Sequence, residues 1–217
     1  MSDFYVWGVT ILVSYLLGSI PFGYLLALTQ GKDVRTFGSG NIGATNVFRS
    51  IDKRLGILTF ILDVAKGCIG VLLVPDLVSF IFGVTPVPAY LPLISGVFTV
   101  VGHNWTCFLG FRGGKGIAAS AGMLLGLSPM AVGIAFLVWL LLFLLTRYVS
   151  IASIAAAVTL GILVWLPFVG LTEDGTVIPG VLTGLAVLAI LKHHSNIRRL
   201  IAGTENRFTF KKGPENP

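Results

Sequence analysis

Gly38-Ser39-Gly40-Asn41-Ile42-Gly43-Ala44-Thr45-Asn46-Val47-Phe48-Arg49-Ser50 admits two readings. The first six residues satisfy the G-x-G-x-x-G pattern of a dinucleotide-binding turn, and an acid, Asp63, follows 20 residues after Gly43. Such a turn requires a strand before the glycines, a helix opening at them and an acid at the end of the next strand. The flanks do not supply these. An apolar run at about 5–28 and a polar stretch from Gln30 to Phe37 precede the glycines, and Asp63 falls in the middle of a second apolar run at about 55–74. A second glycine cluster, Gly113-Gly114-Lys115-Gly116, fails the P-loop pattern too. Leu109 stands where that pattern needs Gly, and Gly116 follows the lysine where Ser or Thr is needed. The nucleotide-binding α/β fold is therefore rejected, and the glycine loops need another account.

Composition supplies the solvent. Only 11% of the 217 residues are charged, 55% are hydrophobic and the mean hydropathy is +0.92. A soluble domain carries about a quarter charged residues, so this is read as a polytopic membrane protein. Asp3 precedes the first apolar run with no Lys or Arg beside it, so no separate secretory signal is expected. Cys68 and Cys107 give no disulfide framework. Apolar runs fall at about 5–28, 55–74, 77–102, 116–127, 129–146, 150–169 and 177–191. Pro86, Pro88 and Pro92 interrupt the third, which reads as an interfacial piece followed by a shorter helix. The fourth is about 12 residues, roughly 18 Å long, and needs its ends in protein or a watery cavity. Gly126, Ser128 and Pro129 turn it into the fifth.

Charge orients these runs. Lys32, Arg35, Arg49, Lys53 and Arg54 lie between the first two runs, and Arg112 and Lys115 between the third and fourth. Arg147 separates the fifth from the sixth, and Lys192, Arg198, Arg199, Arg207, Lys211 and Lys212 follow the last. The alternate connections hold only Asp3, Asp76, Glu173 and Asp174. If all seven runs cross, the positive-inside rule puts the N-terminus outside and the C-terminus in the cytoplasm. The expected fold is an all-α integral membrane protein, a seven-helix transmembrane bundle with some short helices, forming a single domain over residues 1–217. The net charge of +6 is a topology signal and carries no message about nucleic acid.

Three unusual loops, 31–50, 102–116 and 192–207, then share the cytoplasmic side. Gly38, Gly40 and Gly43 permit positive φ, so backbone N–H groups can converge on an anion. Ser39, Asn41, Thr45 and Asn46 add donors, and Arg49 can fork onto a phosphate. Gly113, Gly114 and Gly116 around Lys115 form a second candidate nest where a helix opens. In the third loop, His193, Asn196 and Leu200 share a helical face, with Glu205 close behind. His193 suits a base, a donor to a reacting oxygen, or a residue snorkelling to the interface. No His/Cys/acid cluster has metal-ligand spacing, so no metal is expected. Asp63 and Lys66, at i and i+3 within a span, read as a buried pair fixing helix packing.

With these loops in place, the chain resembles the PlsY-type glycerol-3-phosphate acyltransferases, bacterial integral-membrane enzymes that use acyl phosphate. The resemblance runs from about Gly18 to Glu205. Its anchors are GSIPFGYLLA, GSGNIGATNVFR, LTFILDVAKG, GHNWTCFLGFRGGKGIA and HHSNIRRLIAGTE. Thr106 stands where the family usually has proline, Ala119 where threonine is common and His194 where arginine is usual. The resemblance implies transfer of a fatty acyl group from acyl phosphate to the 1-hydroxyl of sn-glycerol 3-phosphate, giving lysophosphatidic acid and phosphate, without a cofactor. It also implies a site facing the cytoplasm in the bacterial inner membrane.

By motif position, the acyl phosphate head would rest on Asn41, Ile42, Gly43, Ala44, Thr45 and Asn46, with Gly40 counted among the substrate-binding residues. Ser39, Arg49 and Lys115 would hold glycerol 3-phosphate and act in catalysis, with Gly113 and Gly114 lining the second loop. His193 and Asn196 would assist, and Glu205 would orient the third loop. Acyl phosphate is already activated, so no covalent nucleophile is required, although Ser39 and Cys107 are the nucleophiles to consider. The proton leaving the glycerol hydroxyl has two acceptors, His193 or the departing phosphate. A phosphate-ester transporter and a lipid-phosphate hydrolase are the rival readings. Charged loops confined to one face, and no visible inverted repeat, argue against the first. The second wants a nucleophilic histidine or a metal cluster.

Overall fold

The computed structural model describes residues 2–172 and 175–208, so Glu173, Asp174, Lys211 and Lys212 lie outside the described residues. Every regular element among the described residues is helical. The chain forms two compact units, one ending at Pro129 and the other beginning at Met130.

The first unit holds seven helices: α1 (Ser2–Ser19), α2 (Phe22–Leu28), α3 (Ala44–Ser50), α4 (Lys53–Leu72), α5 (Val74–Ile81), α6 (Leu91–Asn104) and α7 (Ile117–Leu127). The first apolar run is thus two helices. Pro21 has no N–H and cannot continue α1, so the chain unwinds at Ile20–Pro21 and restarts as α2. The third run divides as its prolines foretell, into a short α5 and the separate α6. The fourth is α7, with 11 residues, closed by the Ser128 N–H donating to Leu124 O at 2.7 Å.

Two helix pairs of this unit approach to backbone contact, α1 with α6 and α4 with α7. The approach is reciprocal in each. A Cβ on Gly18 would run into the Thr99 backbone, and one on Gly102 into the Tyr15 carbonyl. Likewise, a Cβ on Gly67 would meet Ala119 O, and one on Gly122 would meet Val64 O. In lipid no hydrophobic force separates helix from tail, so close van der Waals packing has to hold helices together, and small residues permit it. Hydroxyls add to this glue. Ser14 Oγ and Ser95 Oγ lie 2.7 Å apart, and Ser95 Oγ also donates to Gly70 O.

The second unit holds α8 (Pro129–Thr146), α9 (Val149–Leu163), α10 (Val177–Lys192) and α11 (His194–Ile201). Indole N–H groups find hydroxyl partners here: Trp139 Nε1 donates to Ser153 Oγ at 3.2 Å and Trp165 Nε1 to Thr183 Oγ1 at 2.9 Å. Beyond α11 the chain returns to the α8–α9 turn, where the Phe208 N–H donates to Arg147 O at 2.8 Å and its ring meets Phe143 edge-on.

Three helical stretches among the described residues are long and apolar enough to cross a membrane: Phe4–Leu28, Lys53–Ile81 and Pro129–Thr146. The bent pair α10 and α11 would make a fourth, while α7 and α9 are shorter apolar helices. Large apolar side chains such as Phe80 (82% exposed) and Leu145 (68%) stand outward, as a lipid solvent allows.

Gly122→Ala drives a methyl into the Val64 carbonyl and should destabilise the protein by about 1–3 kcal/mol. Gly133→Ala, whose Cβ would meet nothing within 4 Å, should leave the thermal midpoint in detergent within the scatter of the wild type. Equal midpoints for the two variants would refute the backbone contact between α4 and α7.

Candidate active site

The first loop is organised around Asn46. Its Oδ1 accepts the Ser39 N–H at 3.0 Å and the Ser50 hydroxyl at 3.3 Å. Its Nδ2 donates to Asn41 O at 2.9 Å, Phe37 O at 3.0 Å and Val34 O at 3.3 Å. Asn46 is 5% exposed, so this amide is spent on folding the loop. Asn41 works locally as well, its Oδ1 taking the Gly43 N–H at 2.8 Å. Ile42 is buried with Ala27, Val34 and Val47 in an apolar cluster beneath the loop. Gly38 and Gly40 use the left-handed region, at φ 56° and 70°, whereas Gly43 is extended at φ −73°. Gly40 N–H donates to Phe37 O at 2.9 Å. Ser39, Gly40, Thr45 and Arg49 are exposed, and Ala44 is half-buried at the start of α3. The loop therefore presents a hydroxyl pair and a guanidinium on a frame held from within.

The second loop hangs on the C-terminal end of α6. The Gly114 N–H donates to His103 O at 3.0 Å. Gly113 and Gly114 are required for proximity. A Cβ on Gly113 would strike His103 O, and one on Gly114 the His103 ring. Only Gly116 of this cluster takes positive φ, at 83°, where it caps α7. Lys115 is half-buried between these fixed points.

Beneath the loop, at the α1–α2 break, lies a polar knot inside the helices. Lys66 Nζ sits 2.8 Å from Asp63 Oδ1 and donates to Ile20 O at 3.0 Å. His103 Nδ1 lies 3.4 Å from the same Asp63 oxygen. Thr106 Oγ1 donates to Ser19 O at 2.5 Å, and Tyr15 hydroxyl to Trp105 O at 2.7 Å. Asp63 and Lys66 do form a buried pair, and that pair reaches two further segments that their spacing could not announce. An apolar hollow of about 310 Å³ opens beside the break, lined by Ile20, Pro21, Tyr24, Leu25, Phe108 and Leu109.

In the second unit, the helix that was expected to run through His193 breaks there. α10 and α11 meet at 49°. The His193 N–H turns to Ile190 O at 2.9 Å, and the ring takes over the carbonyl it abandons: Nδ1 lies 2.8 Å from Ala189 O. A carbonyl only accepts, so Nδ1 carries the proton and Nε2 is the basic nitrogen of the neutral ring. Asn196 and Glu205 come together, with Asn196 Nδ2 donating to Glu205 Oε1 at 2.7 Å. Arg199, which the motif reading used only as a topology charge, donates through Nε to Glu205 Oε2 at 2.7 Å. One carboxylate thereby fixes both an amide and a guanidinium. Its only sequence signal is the spacing of the three residues.

Burial pushes the Glu205 carboxyl up, but the bonds from Asn196 and Arg199, with the Ser150 hydroxyl, outweigh it and hold the group below the ordinary 4.5. A depressed carboxylate stabilises the fold fully above its unfolded value and loses that contribution as pH falls through the folded one. The wild type should therefore lose thermal stability on acidification below about 4.5 more steeply than Glu205→Gln. Parallel midpoint-versus-pH curves for the two proteins would count against this network.

No group of three or more His, Cys, Asp or Glu able to hold a metal ion exists among the described residues. The sequence matches a family profile described as glycerol-3-phosphate acyltransferase over residues 8–203. A relative of the same name from Geotalea daltonii is 43% identical over 200 residues, covering 92% of this chain and 96% of the relative. Among solved structures, PlsY, an integral membrane glycerol 3-phosphate acyltransferase, superimposes in its glycerol 3-phosphate form with a TM-score of 0.80 at 37% identity, covering 94% of this chain and 96% of that one. Its lysophosphatidic acid form gives 0.78, covering 94% and 95%. With nearly the whole chain matched by sequence and by fold, the protein belongs to the glycerol-3-phosphate acyltransferase family of multi-pass integral membrane enzymes.

Proposed function

We propose that this enzyme takes its acyl group from a fatty acyl phosphate and delivers it to the 1-hydroxyl of sn-glycerol 3-phosphate, with residues 1–217 acting as one transmembrane catalytic domain in the bacterial inner membrane. The observation that carries this is the pair of internally braced loops, each offering a cation: exposed Arg49 at the end of the loop that carries Ser39 in one, Lys115 between close-packed glycines in the other. Two phosphorylated substrates require two cationic grips. Neither grip resembles a nucleotide turn, and braced donors cost no reorganisation when charge develops.

In the proposed reaction the glycerol oxygen attacks the acyl carbonyl carbon. The new ester C–O bond forms, the C–O bond to phosphate breaks, and phosphate departs with the bonding pair. Arg49, Lys115 and Ser39 hold the glycerol 3-phosphate. The loop from Asn41 to Asn46 receives the acyl phosphate head, its exposed Thr45 toward the ligand and its buried Asn46 maintaining loop shape, with Gly40 among the substrate-binding residues. Gly113 and Gly114 set the backbone around Lys115. His193 and Asn196 address the acceptor hydroxyl, and Glu205 holds Asn196 in register. The reaction needs no metal and no cofactor, because the mixed anhydride already carries the activation.

The same reading gives the membrane seven spans, with the shorter helices α6, α7 and α9 crossing beside the long ones. The N-terminus is then outside, and loops 31–50, 102–116 and 192–207 are cytoplasmic. The fourteen Lys and Arg residues on alternate connections support this orientation.

Purified protein supplied with radiolabelled glycerol 3-phosphate and palmitoyl phosphate in chelator should form lysophosphatidic acid. Uptake into sealed vesicles without product would mean transport instead. In the same assay, His193→Ala should lose the acidic limb of the pH–rate profile if Nε2 takes the proton. An unchanged limb with a modest rate loss assigns the proton to the departing phosphate. Cysteines at Arg49, Lys115 and Arg198 labelled only from outside the cell would sink the orientation.

A further inference from the structure

The structure assigns Asp63 and His103 a joint role as positioning residues for Lys115, and we propose that they set how well the enzyme binds glycerol 3-phosphate. This rests on the reading of Lys115 as a phosphate cation. Asp63, Lys66 and His103 are 2%, 2% and 5% exposed, and charge in a membrane interior persists only with partners. Lys66 alone would neutralise Asp63. Yet His103, from α6, also turns Nδ1 toward the same carboxylate oxygen, at 3.4 Å. The carboxylate faces the Nδ1 edge of the ring, and this approach orients the ring on that side.

The other side of that ring is the second loop. His103 touches Gly114 twice. Its carbonyl takes the Gly114 N–H at 3.0 Å, and its ring, Nε2 foremost, occupies the volume where a Gly114 side chain would begin. Gly113 is pressed against the carbonyl of the same histidine. Both residues preceding Lys115 are thus located by His103, and His103 is located by Asp63. Helix packing alone would require the Asp63–Lys66 pair but no ring laid against a glycine next to the cation. A long flexible ammonium stem gains affinity when its backbone anchor is fixed before the ligand arrives.

His103→Phe keeps the ring volume and the Asp63–Lys66 pair but removes Nδ1. Asp63→Asn combined with Lys66→Met removes the carboxylate and its buried counter-charge together. Both variants should raise the KM for glycerol 3-phosphate about tenfold, the size of loss expected from a slightly misplaced binding group. The KM for palmitoyl phosphate should stay within about twofold, since its grip lies in the first loop. Hydrogen exchange of the 113–116 amides should quicken about tenfold in both. Unchanged exchange with only a lower thermal midpoint would overturn the inference and leave a packing pair. Faster exchange with an unaltered KM would uphold the positioning of the loop while refuting its link to binding. Lys115→Met separates that case: if its KM for glycerol 3-phosphate is also unaltered, the assignment of Lys115 as the phosphate cation has failed.

Discussion

Two carbonyl oxygens at the interruption of the first membrane helix set the terms for the first unit. Ser19 O and Ile20 O lose their helical partners because Pro21 ends α1. In hydrocarbon, unsatisfied carbonyls cost several kcal/mol each. Thr106 Oγ1 satisfies the first, and Lys66 Nζ joins the Phe22 N–H, at 3.1 Å, on the second. Each side-chain donor belongs to a different part of the chain, so these bonds tie the second loop and α4 to the break. Lys66 then needs its own counter-ion, which Asp63 provides at 2.8 Å. The helix interruption, the buried pair and the end of α6 form one structural consequence of a single proline.

That consequence reaches the candidate site through His103. The residue closes α6, faces Asp63 and bears on Gly114, so the ionic knot in the helices continues into the loop carrying Lys115. The first loop uses a different device. Asn46 makes five short-range hydrogen bonds with the segments around it, leaving Ser39 and Arg49 outward. In the second unit the device is again ionic, one carboxylate bridging Asn196 and Arg199. In the first two loops the side chains suited to chemistry are exposed or half-buried and a buried polar group behind them holds the backbone, whereas His193 and Asn196 of the third loop are themselves buried. Such division of labour suits phosphate binding, where preorganised donors are worth more than mobile ones.

Thr106 illustrates how a departure from the family pattern is absorbed. Proline is usual at that position by resemblance, and a proline has no hydroxyl to donate. Here the threonine hydroxyl donates to Ser19 O and accepts the Phe108 N–H. The threonine is 1% exposed and hydrogen-bonded on both sides.

The sequence by itself determined that the chain lives in lipid, where its apolar runs begin and end, and which loops carry cations. These are matters of composition and local propensity, and α4, α7 and α8 lie within a few residues of the runs that announced them. It also pointed to Gly38 and Gly40 as left-handed positions, although Gly43, named with them, is extended. Tertiary structure alone decided what the other glycines are for. Gly113 and Gly114 owe their lack of a side chain to His103, ten and eleven positions away, whose approach no local rule contains. The same holds for the break at His193, where a ring nitrogen replaces a backbone donor, and for Asn46, whose amide turns inward. Hydrogen-bond partners and close approaches are set by distances between segments, and a linear pattern of residue types does not encode which donor meets which carbonyl.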